Sequence, residues 1–151
     1  MSTLQIHLLA ESSCVETFLS LLDQEEQAMT NGLFADLASI TEQKTGLLGR
    51  MAELDQQRES AQIAMGFGPG RTGADAAASA GGEACQQIWM SLLTLAEKAR
   101  DSNRRNGTMV FTHLDFTQNA INFLQAGAQP FYGPDGVRKT TNGLRTRLAL
   151  G

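Results

Sequence analysis

Apolar residues recur at alternating intervals of three and four along the first 62 positions of the chain. One such stripe covers residues 4–29 and a second covers residues 33–61. This heptad spacing is typical of α-helices that pack against each other along a seam. The two stripes are separated by Asn31-Gly32, a pair that favours left-handed backbone and therefore a tight turn. The pattern predicts an antiparallel, coiled-coil-like helical hairpin over residues 1–62.

A third helical pattern begins near Glu83 and continues to about Ala128, much further than either helix of the hairpin. At 1.5 Å per residue, each hairpin helix is about 40 Å long and the third helix is about 70 Å long. The third helix carries two adjacent apolar stripes, as expected for a helix that lies in the groove between two others. Both stripes are interrupted by the polar segment 101–107.

The apolar residues after this interruption have no obvious partner in the hairpin. They are Met109, Phe111, Phe116, Ile121, Phe123 and Leu124. Two arrangements fit them. They either fold back onto the hairpin after a kink at Asn106-Gly107, or form a groove or amphipathic surface for an apolar helix of a partner protein.

The segment 66–82 contains six glycines and Pro69, so we expect a Gly/Ala-rich linker there. Thr72 or Asp75 is an alternative cap for an earlier start of the third helix. Residues 68–73 spell GxGxxG, but no strand precedes them, which argues against a dinucleotide site. Residues 129–151 form a Pro/Gly-containing terminal turn and a basic tail. The predicted fold is all-α, a three-helix bundle whose C-terminal part is overhanging or kinked.

Composition and charge narrow the function. Residues 1–62 carry ten acids and three bases, and this acidic body argues against a nucleic-acid binder. No signal peptide or membrane-length apolar stretch is recognisable, so we expect a cytoplasmic protein without membrane insertion. His7, His113, Cys14 and Cys85 are isolated from one another, and no spacing suggests a metal site, a cofactor or a catalytic group. We therefore expect a protein that is not an enzyme.

Two longer stretches of sequence resemble a known family. Residues 25–58, EEQAMTNGLFADLASITEQKTGLLGRMAELDQQR, look like the first half of FlgN-type flagellar export chaperones. The motif NRRNG at 103–107 and the segment DFTQNAINFLQAGAQPFYGPDG at 115–136 are similar to the end of that family. The resemblance implies a cytosolic chaperone of the flagellar type III export system. Such chaperones bind the C-terminal helices of the hook-associated proteins FlgK and FlgL, prevent their premature assembly and deliver them to the export gate.

The same resemblance implies where the partners bind. The client site corresponds to the C-terminal half of the third helix, residues 103–128. Its residues are Asn103, Asn106, Met109, Val110, Leu114, Thr117, Ile121 and Leu124. Docking to export-apparatus proteins such as FlhA corresponds to Phe131 and Tyr132 in the terminal turn.

Two other classes of protein share the helical pattern. One is a structural coiled-coil adaptor that forms a homodimer by pairing its third helices. The other is a helical-bundle enzyme with a metal or cofactor, although the Glu-x-x-His motifs of di-iron bundles are missing. Light scattering distinguishes the first class, and metal analysis distinguishes the second.

Overall fold

The computed structural model describes residues 1–128, and every regular element in them is helical. Helix α1 spans Thr3–Thr30, a short 3-10 helix spans Phe34–Asp36, and α2 spans Leu37–Ala64. Helix α3 spans Gly70–Ala80, and α4 spans Glu83–Ala128. The prediction of an all-α protein is confirmed. The terminal turn and basic tail predicted over 129–151 lie outside the described residues.

The first helix begins and ends where the local sequence directs it. The Ser2 side chain accepts a hydrogen bond from the Gln5 backbone N–H at 3.2 Å, and the Gln5 side chain accepts one from the Ser2 N–H at 2.8 Å. This reciprocal capping box satisfies two donors that a helix start would otherwise leave unpaired. At the other end, Gly32 adopts a φ of 71°, which a side chain would disfavour, and the chain reverses.

Two ion pairs show that α1 and α2 are antiparallel. Lys44 Nζ lies 3.0 Å from Glu25 Oε1 near the turn, and Arg58 Nε lies 2.7 Å from Glu11 Oε1 far from it. All four residues occupy seam positions that interrupt the apolar stripes of the two helices. The hairpin prediction is therefore confirmed, with polar seam positions of one helix paired to those of the other.

The main apolar core joins α1 to α3 and to the first part of α4. Its largest members are Leu8, Phe18, Leu22, Trp89 and Leu92, with Leu47, Met51 and Phe67 packed at its edge. A smaller core near the turn contains Leu21, Ala28 and Ile40. Burial of these side chains contributes about 25 cal/mol per Å² of apolar surface and is the main stabilisation of the bundle.

The structure differs from the expected linker over residues 66–82. An 11-residue helix, α3, occupies Gly70–Ala80, and its small residues Gly73, Ala74, Ala77 and Ala78 are buried. Most glycines of this segment lie at or near the ends of α3, so the segment is not an irregular connector. Gly66, Gly70 and Gly82 have φ values of 92°, 74° and 96°, in the left-handed region that glycine tolerates.

The chain forms two compact units, Met1–Arg104 and Arg105–Gly151, and the boundary falls inside α4. It coincides with the polar segment 101–107 that interrupts the apolar stripes. The helix assignment continues through Asn106-Gly107 without a break. The length mismatch is also confirmed, since α4 has 46 residues whereas α1 and α2 have 28 each.

Candidate functional site

The second unit presents large apolar side chains to solvent along the C-terminal part of α4. Phe123 is 78% exposed and Leu124 is 68% exposed, whereas Leu92 in the first unit is only 4% exposed. Met109, Phe111, Leu114 and Ile121 are also exposed. Large apolar residues grouped on a surface are uncommon in monomeric proteins and are typical of interaction sites.

The spacing of these residues places most of them on one helix face. Val110, Leu114, Thr117, Ile121 and Leu124 follow one another at intervals of three and four residues, so they share a face. The same intervals occur earlier in α4, where Cys85, Trp89, Leu92 and Ala99 are buried in the core of the first unit. The apolar pattern that builds a core in the first unit is thus largely exposed in the second.

A second face of the same segment is also apolar. Met109 and Phe123 are 14 residues, or about four helical turns, apart, so both lie on the same side of the helix. Phe111 lies on a third side of the helix and is exposed. The exposed apolar surface therefore extends around much of the helix, and we call the group Met109, Phe111, Leu114, Ile121, Phe123 and Leu124 the α4 apolar surface.

The residues predicted from the sequence fall into three groups. Leu114, Ile121, Leu124, Met109 and Thr117 are exposed, and Val110 is half-buried. Asn103 is half-buried within the first unit, and Asn106 is 3% exposed, so its side chain is not part of an open surface. Phe131 and Tyr132 lie outside the described residues.

Phe111 and Phe123 are exposed; the sequence named both among the apolar residues available to a partner helix, but the client-binding set implied by the family resemblance omits them. Phe123 shares an apolar stripe with Asn106 and Met109, and these two are the members of that stripe in the client-binding set. Phe111 belongs to neither stripe, so heptad spacing gave no signal for it. Its only signal is its type, because aromatic residues are enriched at interaction surfaces.

Polar side chains of this segment bond along the helix itself. Gln118 Nε2 donates to Asn122 Oδ1 at 3.0 Å, and Thr112 Oγ1 donates to the Thr108 carbonyl at 2.9 Å. Asn119 Nδ2 donates to Asp115 Oδ2 at 3.5 Å. Each bond joins residues four apart along the helix, but among the described residues Asn122 Nδ2 is buried without a hydrogen-bond partner.

The strongest electrostatic perturbations lie in the first unit. Burial raises the pKa of Glu11 to about 7, and the adjacent Arg58 guanidinium offsets only part of this effect. The hydrogen bond from Trp89 Nε1, followed by that from Arg71, lowers the pKa of the Asp75 carboxyl. Burial raises the pKa values of the Cys14 and Cys85 thiols, which keeps them protonated and weakly nucleophilic.

Within residues 1–128, no three His, Cys, Asp or Glu side chains come together in a way that would hold a metal ion. None of the helices in this part of the chain has a stretch apolar enough to cross a membrane. The feature of the described residues that best fits a binding function is therefore the α4 apolar surface.

Comparison with known proteins gives a consistent result. The model of the FlgN protein family matches residues 1–140. The flagella synthesis protein FlgN of Yersinia enterocolitica is 28% identical over 150 residues, which cover 97% of each chain. Its counterpart in Salmonella typhimurium is 28% identical over 120 residues, covering 78% of this chain and 76% of that one. The Proteus mirabilis protein of the same name is 28% identical over 82% of both chains.

No solved structure matches the chain significantly. The family match covers the first unit and residues 105–140 of the second, including the whole of α4 and its apolar surface. The hairpin, the long fourth helix and this match together lead to one conclusion: the chain belongs to the FlgN family.

Proposed function

We propose that this protein is a flagellar export chaperone whose α4 apolar surface binds the C-terminal helices of hook-associated proteins of the FlgK and FlgL type. Binding keeps these clients unassembled, and the complex is delivered to the export gate. The observation that carries the proposal is the exposure of this surface in a chain of the FlgN family. The proposal requires no catalytic group, because recognition and release of an apolar helix suffice.

The chemistry of the surface favours an amphipathic helix as the client. Leu114, Ile121 and Leu124 are spaced like the anchor positions that one helix offers to another. A client helix that must polymerise in the filament carries an apolar stripe, and this stripe would aggregate if left in water. When the stripe of the client packs against the α4 apolar surface, apolar surface is removed from water on each partner.

The expected affinity follows from the exposed fractions. Full burial of a Leu or Phe side chain contributes about 1.5–3 kcal/mol. Leu124 and Phe123 are 68% and 78% exposed, so burial of the exposed part by a client would contribute about 1–2 kcal/mol of binding free energy for each side chain. The loss of translational freedom and the ordering of the client offset much of this gain. A moderate, reversible affinity results, as a chaperone that must release its client requires.

Delivery to the export apparatus is assigned to Phe131 and Tyr132. The support for this part is the resemblance of the terminal YGPDG sequence to the end of the family, together with two adjacent aromatic residues in a Pro/Gly-containing segment. Aromatic side chains are frequent anchors in docking pockets. The partner is a component of the export gate such as FlhA.

The central experiment is calorimetric titration of the protein with a C-terminal helical segment of a hook-associated protein. We expect a micromolar or tighter complex for the unaltered chain. Leu124→Glu places a charge on the α4 apolar surface and should weaken binding about tenfold or more, since burying an unpaired charge is costly. Leu48→Glu is the matched control, because Leu48 is also an exposed leucine but lies on α2 in the first unit.

The outcomes separate the alternatives. No binding by the unaltered protein, or equal weakening by both variants, contradicts the assignment of the client site to α4. Light scattering on the same samples tests the homodimeric adaptor. A stable dimer that Leu124→Glu dissociates, with no client binding, would show that the surface pairs two copies of this chain.

A further inference from the structure

Helix α3 is a short helix flanked by glycine residues whose backbone lies in the left-handed region. Gly66 lies before α3, Gly70 is its first residue and Gly82 follows it. All three have positive φ values between 74° and 96°. Glycine moves between backbone regions more easily than any other residue. Hinges are built from a few such positions at the ends of a rigid element. Helix α3 can therefore change position without a change in its own helical conformation.

The buried face of α3 provides little apolar contact. It consists of Gly73, Ala74, Ala77 and Ala78, whereas the buried face of α1 includes Leu8, Phe18 and Leu22. A methyl group buries far less surface than a Leu or Phe side chain, so each residue of α3 contributes less to packing. An isolated helix of 11 residues is also only marginally stable in water. The attachment of α3 is thus weaker than the packing of the bundle beneath it.

A few polar contacts at its N-terminal half fix α3 in place. Trp89 Nε1 of α4 donates to Asp75 Oδ1 at 2.7 Å, and within α3 itself Arg71 Nε donates to the same oxygen at 3.0 Å. The Arg71 guanidinium also lies 5.8 Å from the centre of the Trp89 ring. On the α2 side, Gln62 Nε2 donates to the carbonyls of Gly68 and Gly70 at 3.0 and 3.1 Å.

The other end of α3 covers a buried thiol. Cys85 is fully buried, and a Cβ atom placed on Gly81 would lie only 2.8 Å from its Sγ. The same hypothetical atom would lie 3.3 Å from the Ala77 carbonyl oxygen. Gly81, the residue that ends α3, therefore lies directly against this thiol, and Ala77 and Ala78 of α3 belong to the same buried cluster as Cys85, so displacement of α3 would give solvent access to it.

We propose that α3 is a hinged lid that opens as a unit, while the α1–α2 hairpin and α4 stay folded, and uncovers an apolar patch containing Trp89 and Cys85. Opening breaks the contacts of Asp75 and Gln62 and turns the chain at Gly66, Gly70 and Gly82. Local opening of this kind is typical of elements with few buried apolar contacts. The lid lies in the first unit, whereas the α4 apolar surface lies in the second.

The test is the rate at which a thiol reagent modifies Cys85 under native conditions. In a Cys14→Ala variant only Cys85 reacts, and in a Cys85→Ala variant only Cys14 reacts and reports on the hairpin. We expect Cys85 to react at least about tenfold faster than the rate that global unfolding permits, with a weak dependence on urea. Cys14 should react only through global unfolding. Equal protection of both thiols at the level of global unfolding would overturn the proposal.

A further substitution separates lid opening from fraying of the first turn of α4, which also contains Cys85. Asp75→Ala removes the hydrogen bond from Trp89 and the pairing with Arg71, and should speed Cys85 modification about fivefold or more. Asp101→Ala is the matched control, since Asp101 forms an exposed pair with Arg104 within α4. If Asp75→Ala leaves the Cys85 rate unchanged, the thiol is exposed by fraying and α3 is not a lid.

Discussion

Replacement of Glu11 by Gln tests the buried ion pair that joins the two helices of the hairpin. Glu11 and Arg58 are both buried, and Arg58 Nε donates to Glu11 Oε1 at 2.7 Å. Arg58 also bonds to Asp55 and to Gln62 Oε1, and its guanidinium lies 5.1 Å from the Trp89 ring centre. Because several groups share the charge of Arg58, its attraction offsets only part of the cost of burying the Glu11 carboxylate.

The magnitude follows from the pKa of Glu11, which rises from 4.5 to about 7 on folding. Between these values the folded protein retains the Glu11 proton while the unfolded chain has lost it. The free energy of unfolding therefore falls as pH rises through this window, by about 1.4 kcal/mol per pH unit. From pH 5 to pH 8 the loss attributable to Glu11 is about 2–3 kcal/mol, and well below pH 4.5 the contribution of this group no longer changes.

The Glu11→Gln variant keeps an oxygen acceptor for Arg58 but has no titrating group. We expect its stability to be close to that of the unaltered protein at pH 5 and to lack the decline toward pH 8. The assay is urea unfolding at several pH values, followed by fluorescence of Trp89, the single tryptophan of the chain, and by helical circular dichroism. A stability that is flat or rising from pH 5 to pH 8 in the unaltered protein, or an identical decline in Glu11→Gln, would refute this reasoning.

Two further predictions concern glycines and the terminal aromatic residue. Gly49 lies in the interior of α2 with open space around its Cβ position, so Gly49→Ala should stabilise the protein by about 1 kcal/mol in the same urea assay. Gly73→Ala should instead destabilise the protein by about 2 kcal/mol or more, since the new Cβ would lie 1.6 Å from the Gly68 carbonyl oxygen. Equal effects of Gly49→Ala and Gly73→Ala on stability would contradict the described packing of α3. Tyr132→Ala should leave client affinity unchanged and weaken binding to a purified export-gate component about tenfold; loss of client binding would place this residue in the client site.

The local pattern of the sequence was sufficient to predict the hairpin and the long helix. Heptad spacing and the Asn31-Gly32 turn are encoded within a few residues of each position, so they can be read without knowledge of distant contacts. The same applies to the polar interruption at 101–107, which coincides with the boundary between the two units. Leu114, Ile121 and Leu124 are exposed, and the binding of a partner at this segment stays a prediction.

Helix α3 could not be predicted in the same way. The segment 66–82 has the composition of a linker because six of its 17 residues are glycine, but only Gly70 and Gly73 lie within α3, and five of the 11 residues of α3 are alanine. It is held by contacts from residues outside the helix, namely the Trp89 indole of α4 and the Gln62 amide of α2. The glycines of the segment outweighed its alanines in the sequence pattern, whereas the packed position of α3 depends on these tertiary contacts.

The sequence by itself determined the helical class, the turn of the hairpin and the excess length of α4, because each follows from periodicity and backbone preference along one stretch of chain. Only the tertiary structure decided that Glu11 faces Arg58, that Gly81 at the end of α3 lies against Cys85, and that Asn106 is buried while Phe111 is exposed. These outcomes depend on which helices meet and at what register, and that choice is made by packing between residues far apart in the chain.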